Sequence, residues 1–186
     1  GMPIDEFRAN TFTDYTQSQP SVASFGDGLS VVVWQSQYQE AIQNGGGWNW
    51  GVYGQVFGPK GSPLGDEFLI NTYTESNQGT PAIATLEDGG FIVTWYDDSG
   101  HSGGSGYDIR GQRFDSSGEV SGDEFRVNTE VSGTQTSPAV ASLDDGGFVV
   151  TWRDDHGGSH GGSGYDIRGQ RFDVNSDPAG TEFLIN

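Results

Sequence analysis

The chain has 186 residues, 31 of them glycine, no cysteine and a formal net charge of −18 at pH 7. That charge opposes the field of nucleic acids and anionic lipids, so we expect no nucleic-acid binding and no membrane insertion. The lack of cysteine excludes disulfides and thiol chemistry, and the glycine-rich, aromatic composition favours short strands joined by tight turns.

The chain begins with a spare copy of a short strand that returns three times. A Glu-Phe segment ending in asparagine occurs at 4–10, and its copies are Glu67-Phe-Leu-Ile-Asn71, Glu124-Phe-Arg-Val-Asn128 and Glu182-Phe-Leu-Ile-Asn186. We predict one repeat domain over residues 2–186, with a spare strand at 4–10 and repeats at about 11–71, 72–128 and 129–186.

Each repeat predicts four antiparallel strands. The segment from Pro81 to Trp95 is nearly identical to that from Pro138 to Trp152, and the Asp-Gly pairs within them are typical of hairpin tips. Glutamines 17, 78 and 135 and asparagines 10, 71, 128 and 186 recur at strand ends, where an amide satisfies backbone groups of the adjoining turn.

The second strand of each repeat is apolar on both faces. Phe91 and Trp95 point to one side and Ile92 to the other, as expected of a sheet stacked between two sheets. The fold class predicted is therefore all-β, with about three four-stranded antiparallel repeats resembling propeller blades. A threefold β-trefoil or β-prism is the alternative. Because propeller rings have four or more blades, we also expect a homo-oligomer, a dimer of six blades, or a piece of a longer array.

The loop of the first repeat differs from the other two. It contains Trp48, Asn49 and Trp50, followed by Tyr53. Two tryptophans flanking an asparagine predict a sugar-binding surface, in which the rings stack on the ligand and the amide holds hydroxyls. The alternative is that the tryptophans cover a blade edge or a subunit contact.

The loops of the second and third repeats are acidic and predict calcium, a cofactor that prefers six to eight oxygen ligands. The candidate ligands are Asp97, Asp98, Asp108, Asp154, Asp155 and Asp166. The alternative is that Asp108 and Asp166 pair with Arg110 and Arg168. His101 and His160 are further candidate ligand-binding residues in these loops, and a transition metal on His156 and His160 is a weaker hypothesis.

Two resemblances follow from these motifs. Gly103-Gly-Ser-Gly-Tyr-Asp108 and Gly161-Gly-Ser-Gly-Tyr-Asp166 resemble the first six positions of the RTX calcium-binding nonapeptide of type-I-secreted bacterial proteins, but the copies are not in tandem. The whole unit is similar to tandem repeats of about 57 residues in large secreted bacterial surface proteins. That resemblance implies an extracellular or cell-surface location and adhesion or lectin-like binding.

The carboxylates are duplicated with the repeat, and no nucleophile with an adjacent base stands out. We therefore expect a protein that is not an enzyme: an extracellular binding module for a carbohydrate or a cell-surface ligand, with calcium-stabilised loops. The alternative is a structural, self-associating repeat segment of a larger adhesin or exoprotein.

Overall fold

The computed structural model describes residues 6–26, 28–43, 45, 47–100, 106–155 and 164–186, which form three four-stranded antiparallel sheets. The prediction of an all-β, propeller-blade-like fold is confirmed, because each repeat folds as its own open sheet with strands in chain order. The first sheet contains β1 (Gln17–Ser24), β2 (Ser30–Gln37), β3 (Trp50–Phe57) and β4 (Pro63–Leu69). The second contains β5 (Gln78–Thr85), β6 (Phe91–Asp97), β7 (Asp108–Phe114) and β8 (Phe125–Arg126), and the third β9 (Thr134–Ser142), β10 (Phe148–Asp155), β11 (Asp166–Phe172) and β12 (Phe183–Leu184).

The three sheets stack side by side, with β5 packed between β1 and β9. One apolar cluster joins Val31 and Val33 of the first sheet to Trp95 of the second. A second cluster joins Ile92 to Trp152 of the third sheet. The middle sheet is therefore buried on both faces, as its alternating apolar pattern predicted.

The recurring tryptophans are core residues, as predicted. Trp34 is 4% exposed, Trp95 0% and Trp152 1%. The hairpin tips also follow the prediction, since Gly89 and Gly146 have φ of 84° and 81° and the side chain of Asp88 accepts a hydrogen bond from the Gly90 amide at 3.0 Å. These aspartates are turn residues.

The glycine of each Gly-Gln-Arg-Phe motif is needed for a close approach between strands. A Cβ at Gly111 would lie 2.8 Å from the Phe125 ring, and one at Gly169 would lie 2.7 Å from the Phe183 ring. The phenylalanine of the fourth strand therefore covers the third strand only where that strand lacks a side chain.

A bulge interrupts the first strand of each sheet just before its proline. Gln19, Thr80 and Ser137 have φ of 54°, 46° and 54°, and the ladder register shifts at these points. Proline has no N–H for the ladder, so a bulge is where a sheet tolerates it. The sequence pattern did not predict these bulges.

Two local features differ from the sequence-based expectations. A five-residue helix, α1 (Gln39–Gln43), lies in the loop of the first repeat, where no helix was predicted. The described part of the predicted spare strand, residues 6–10, is not in a strand. Within the part of the chain that the structure describes, no helix combines the length and the apolar character required to cross a membrane.

Candidate functional site

The second and third sheets each bury an arginine between two carboxylates. In the third sheet, Arg168 Nε lies 2.7 Å from Asp154 Oδ2, and Arg168 Nη1 lies 2.9 Å from Glu182 Oε1. In the second sheet, Arg110 lies 3.4 Å from Asp97 and 3.5 Å from Glu124. Because the same triad recurs, its role is to hold the strands of each sheet together.

Repeated amides complete these networks. Gln78 donates to Asp97 at 2.9 Å and Gln135 donates to Asp154 at 2.8 Å. Asn71 Nδ2 also donates to the Tyr73 carbonyl at 2.8 Å, which is the turn-stabilising role predicted for these amides. The buried carboxylates of Asp97 and Asp154 thus each accept a hydrogen bond from a glutamine of their own repeat.

The first sheet breaks this pattern at two of its three positions. Ser36 stands where the other sheets have the aspartate, and Tyr53 stands where they have the arginine, whereas Glu67 is retained. The helix α1 brings a second carboxylate, Glu40, and a buried amide, Gln39, to this place. The first sheet therefore has two glutamates at a position from which the arginine has been removed.

Glu67 and α1 are joined by a direct hydrogen bond. Gln39 Nε2 donates to Glu67 Oε2 at 2.9 Å, while Glu67 Oε1 accepts from the backbone amides of Thr11 and Phe12. Three buried polar atoms in this cluster, Gln39 Oε1, Glu40 Oε1 and the Tyr53 hydroxyl, have no hydrogen-bond partner among the described residues. Buried polar atoms without such a partner also occur in the other two sheets, as at Glu124 Oε1 and Gln170 Oε1, so they do not by themselves distinguish this cluster.

Burial controls the protonation of this cluster. It raises the pKa of Glu40 to about 7, and a hydrogen bond with the Asn71 side chain opposes that rise. Burial also raises the pKa of the Tyr53 phenol, and the charges of Glu40 and Glu67 raise it further. At neutral pH the site thus holds a carboxyl group that is both a proton donor and a proton acceptor, next to a neutral phenol.

A group of aromatic side chains lies at the chain segments that flank α1. The Tyr15 and Tyr38 rings are 5.0 Å apart, and the Tyr38 and Trp48 rings are 5.5 Å apart, both edge to face. Tyr15 is 55% exposed and Trp48 is 66% exposed. These three residues form an exposed aromatic surface, and Glu40 follows Tyr38 by two positions in the chain.

The predicted ligand-binding residues are divided between this surface and the interior. Trp48 lies on the aromatic surface, and the Asn49 carbonyl accepts a hydrogen bond from the Tyr38 amide at 2.8 Å. Trp50 is half-buried at the start of β3, and Tyr53 is 3% exposed within the glutamate cluster, so it does not stack on a ligand. His101 and His160, like His156, lie outside the described residues.

The six predicted calcium ligands lie at the ends of strands. Asp97 and Asp154 face the arginines described above, Asp98 binds the Ser76 and Asn77 side chains, and Asp108 accepts from Asn128 at 2.8 Å. Asp155 ends β10 and Asp166 begins β11. Among the described residues, no group of three or more acidic or histidine side chains is arranged to hold a metal ion. Calcium therefore stays a prediction.

Sequence reasoning missed Gln39, Glu40 and Glu67. A signal was present, because alignment of the three repeats already sets Tyr53 against Arg110 and Arg168. The helix that carries Glu40 has no counterpart in the other repeats, so the repeat pattern gave no information on it. A cavity of about 520 Å³ lies between the hairpin tips at the other end of the first two sheets, but neither Glu40 nor Glu67 lines it.

No protein-family model and no curated protein matches the chain. The structure is similar to an N-acetylgalactosamine deacetylase from F. plautii in complex with blood group B trisaccharide (11% identity, TM-score 0.59, 91% of this chain and 52% of that chain). It is also similar to a thermostable family-43 glycoside hydrolase (12% identity, TM-score 0.56, 94% and 59%). A third similar structure is an endo-arabinase from Bacteroides thetaiotaomicron VPI-5482 (15% identity, TM-score 0.52, 84% and 56%).

The chain spans a little more than half the length of each of these proteins, and the likeness shows the fold. It corrects the functional expectation drawn from the sequence. All three similar structures are named as enzymes that act on carbohydrates, which overturns the prediction of a non-catalytic binding or structural module and the prediction that the protein is not an enzyme. That prediction rested on the duplication of the carboxylates, and it did not consider Glu40, which has no counterpart in the other repeats.

Proposed function

We propose that this chain carries the reaction centre of a carbohydrate-active enzyme that cleaves glycosidic bonds, and that Glu40 and Glu67 are its catalytic carboxylates. The observation that carries the proposal is the exchange of a buried arginine for Tyr53 between two glutamates, beside an exposed aromatic surface. The resemblance in fold to a family-43 glycoside hydrolase and an endo-arabinase supports the substrate class.

Glycoside hydrolysis needs two carboxyl groups in different protonation states. A carboxyl group with a pKa of about 7 carries its proton in about half of the molecules at pH 7, and it can deliver that proton to the departing glycosidic oxygen. In the proposed reaction Glu40 is this general acid, and Glu67 assists the water molecule that attacks the anomeric carbon. Tyr53 lies close enough to both carboxyl groups for their charges to raise the pKa of its phenol, so it stays neutral during the reaction.

The aromatic surface supplies the binding part of the proposal. Sugar rings present C–H faces that stack on exposed indole and phenol rings, and Trp48 and Tyr15 are more than half exposed. Glu40 itself is 4% exposed, so a sugar reaches it only after α1 shifts away from β3. That movement breaks the hydrogen bond between Gln39 and Glu67, and it is favoured by the shortness of α1, which has five residues and an Ile42 that is 46% exposed.

The test is release of reducing ends from a panel of arabinan, arabinoxylan and N-acetylgalactosamine-containing glycans. Glu40→Gln is expected to reduce the rate by at least about hundredfold, which is the usual contribution of a general acid. Glu87→Gln, which removes an exposed carboxylate at a hairpin tip, serves as the matched control and keeps the full rate. Trp48→Ala raises KM more than it lowers kcat. Absence of cleavage of every glycan, or full activity of Glu40→Gln, would contradict the proposal.

We further propose that the protein acts outside the cell and that its acidic loops bind calcium. The similarity of the repeats to those of large secreted proteins supports the location, and the acidic residues at the ends of β6 and β10 support calcium. Detection of the native protein in the culture medium tests the first point, and a calcium titration described below tests the second.

A further inference from the structure

Equivalent clefts lie between the hairpin tips of neighbouring sheets, and the two clefts differ in chemical character. The cleft between the second and third sheets, of about 510 Å³, is lined by Asp88, Arg113 and Asp145 among others. Arg113 Nη2 lies 2.6 Å from Asp88 Oδ2, so an ion pair borders this cleft. The cavity of about 520 Å³ between the first and second sheets has equivalent walls, but none of the described residues that line it carries a positive charge.

Three residues of the first sheet make this cavity apolar at positions where the other sheets are not. Val56 replaces the arginine of the Gly-Gln-Arg-Phe motif, Leu29 stands where both other sheets have the second glycine of the Asp-Gly-Gly turn, and Leu64 stands where they have serine or alanine. The turn itself does not require the leucine, because the backbone hydrogen bond to residue 29 has the same length, within 0.1 Å, as those to glycines 90 and 147. Leu64 is 46% exposed. The repeat pattern therefore does not explain these apolar side chains.

The second sheet supplies an apolar wall and polar groups at its edge. Leu86 and Phe91 are 6% and 1% exposed, and the Phe25 ring of the first sheet meets the Phe91 ring edge to face at a centroid distance of 6.0 Å. The exposed Ser116 and Ser117 complete the lining. Apolar walls with a few polar groups, around a volume of about 300 to 1,000 Å³, are typical of pockets for small molecules.

We infer that this cavity is a second binding site, which takes an uncharged apolar small molecule containing an aromatic ring. The Phe25 and Phe91 rings favour an aromatic ligand. A carboxylate or phosphate on the ligand would enter an apolar space that offers it no cation, in a protein of net charge −18.

This site is separate from the proposed reaction centre. Val31 lines the cavity, and Ser36 lies at the reaction centre, five residues further along β2. Five residues of a strand span about 17 Å. The few polar groups of the cavity also do not suit a sugar, whose hydroxyls would lose their hydrogen bonds to water.

The test compares two fluorescent dyes that differ by one charge. Phenylnaphthylamine is neutral and apolar, and anilinonaphthalenesulfonate is the same molecule with a sulfonate group. We expect the neutral dye to bind at one molecule per chain and the sulfonate to bind at least about tenfold more weakly.

Four variants locate the bound dye. Val56→Arg introduces the side chain that the other sheets have at this position and is expected to abolish binding. Leu64→Ser, also a residue found at the equivalent position of the second sheet, should weaken binding by about tenfold. Val174→Arg makes the first of these substitutions in the charged cleft and serves as the matched control. Trp48→Ala alters the exposed aromatic surface instead, and both of these variants should bind the dye as the wild type does.

Several results would overturn the inference: no binding of the neutral dye, equal binding of both dyes, or binding that Val56→Arg leaves intact. Loss of binding in Val174→Arg or Trp48→Ala would place the dye elsewhere. One dye per two chains, with a doubled mass in solution, would show that a second copy of the chain covers the cavity. Glycan cleavage is a separate readout, since Glu40→Gln should slow cleavage and still bind the dye.

Discussion

The protonation of Glu40 gives the sharpest prediction, and the perturbation is Glu40→Gln. Because burial raises the pKa of Glu40 in the folded protein from 4.5 to about 7, the folded state binds this proton more tightly than the unfolded state. The stability that comes from the neutral carboxyl is fully present below pH 4.5 and is lost as the pH rises through 7. Glutamine does not ionise, so the stability of the Glu40→Gln variant does not fall over this pH range.

The magnitude follows from the two pKa values. At about 1.4 kcal/mol per pKa unit, the loss between pH 4.5 and pH 8 has an upper value of about 3 kcal/mol. Water that enters around α1 would reduce this loss of stability. We therefore take a loss of about 2 kcal/mol for the comparison of melting temperatures. For a chain of this length about 3 °C of Tm corresponds to each kcal/mol, so Glu40→Gln is expected to melt about 6 °C above the wild type at pH 8 and at nearly the same temperature at pH 5.

The assay is thermal unfolding at several pH values between 4.5 and 8.5, followed by circular dichroism. Glu124, whose pKa is also raised by burial, contributes equally to both proteins and cancels in the difference. Glu87→Gln removes one exposed negative charge and controls for net charge. A difference between wild type and Glu40→Gln that does not change with pH would refute the buried, neutral carboxyl and would remove the basis for a general acid.

The remaining predictions concern the sheets and their loops. Arg168→Met leaves Asp154 buried without its cation, so the free energy of unfolding in urea should fall by about 3 kcal/mol. Adding Asp154→Asn should restore part of that stability. Equal stability of the single and the double variant would contradict a structural ion pair. Trp95→Ala should lower the free energy of unfolding by about 3 to 5 kcal/mol, whereas Trp48→Ala should change it by less than about 0.5 kcal/mol, and equal effects would show that the burial assigned to these rings is wrong. If the loops bind calcium, calcium at about 100 times its dissociation constant should stabilise EDTA-treated protein by about 2.7 kcal/mol. Asp98→Asn should reduce this stabilisation. A Tm that does not change when calcium is added would exclude a structural ion.

The sheets were predictable because their determinants are local and repeated. The alternation of Phe91, Ile92 and Trp95 indicates on which face of the sheet each side chain lies. The Asp-Gly pairs mark the hairpin turns. Those rules depend on sequence neighbours alone. Three copies of the same pattern then gave the stacking, since a strand that is apolar on both faces must be covered on both.

The arginine partners were not predictable in the same way. The sequence suggested Asp108 for Arg110, two residues away on one strand. The structure instead joins Arg110 to Asp97 on the neighbouring strand and to Glu124, because the antiparallel register puts position 110 beside position 95 and brings the end of β6 over it. Pairing across strands depends on register, which no single strand reveals.

The proposed reaction centre lies where the first sheet departs from the repeat. A residue found in every sheet is explained by what every sheet needs, as Arg110 and Arg168 are explained by the carboxylates around them. Tyr53 in the first sheet replaces that cation, and Ser36 replaces one of the two carboxylates. Glu67 remains and α1 adds Glu40, so two carboxyl groups stay together without the arginine. Packing alone gives no reason for that exchange, because a buried carboxyl without a cation is destabilising at neutral pH. A function confined to the first sheet does give a reason, since a raised carboxyl pKa is what proton transfer near pH 7 requires.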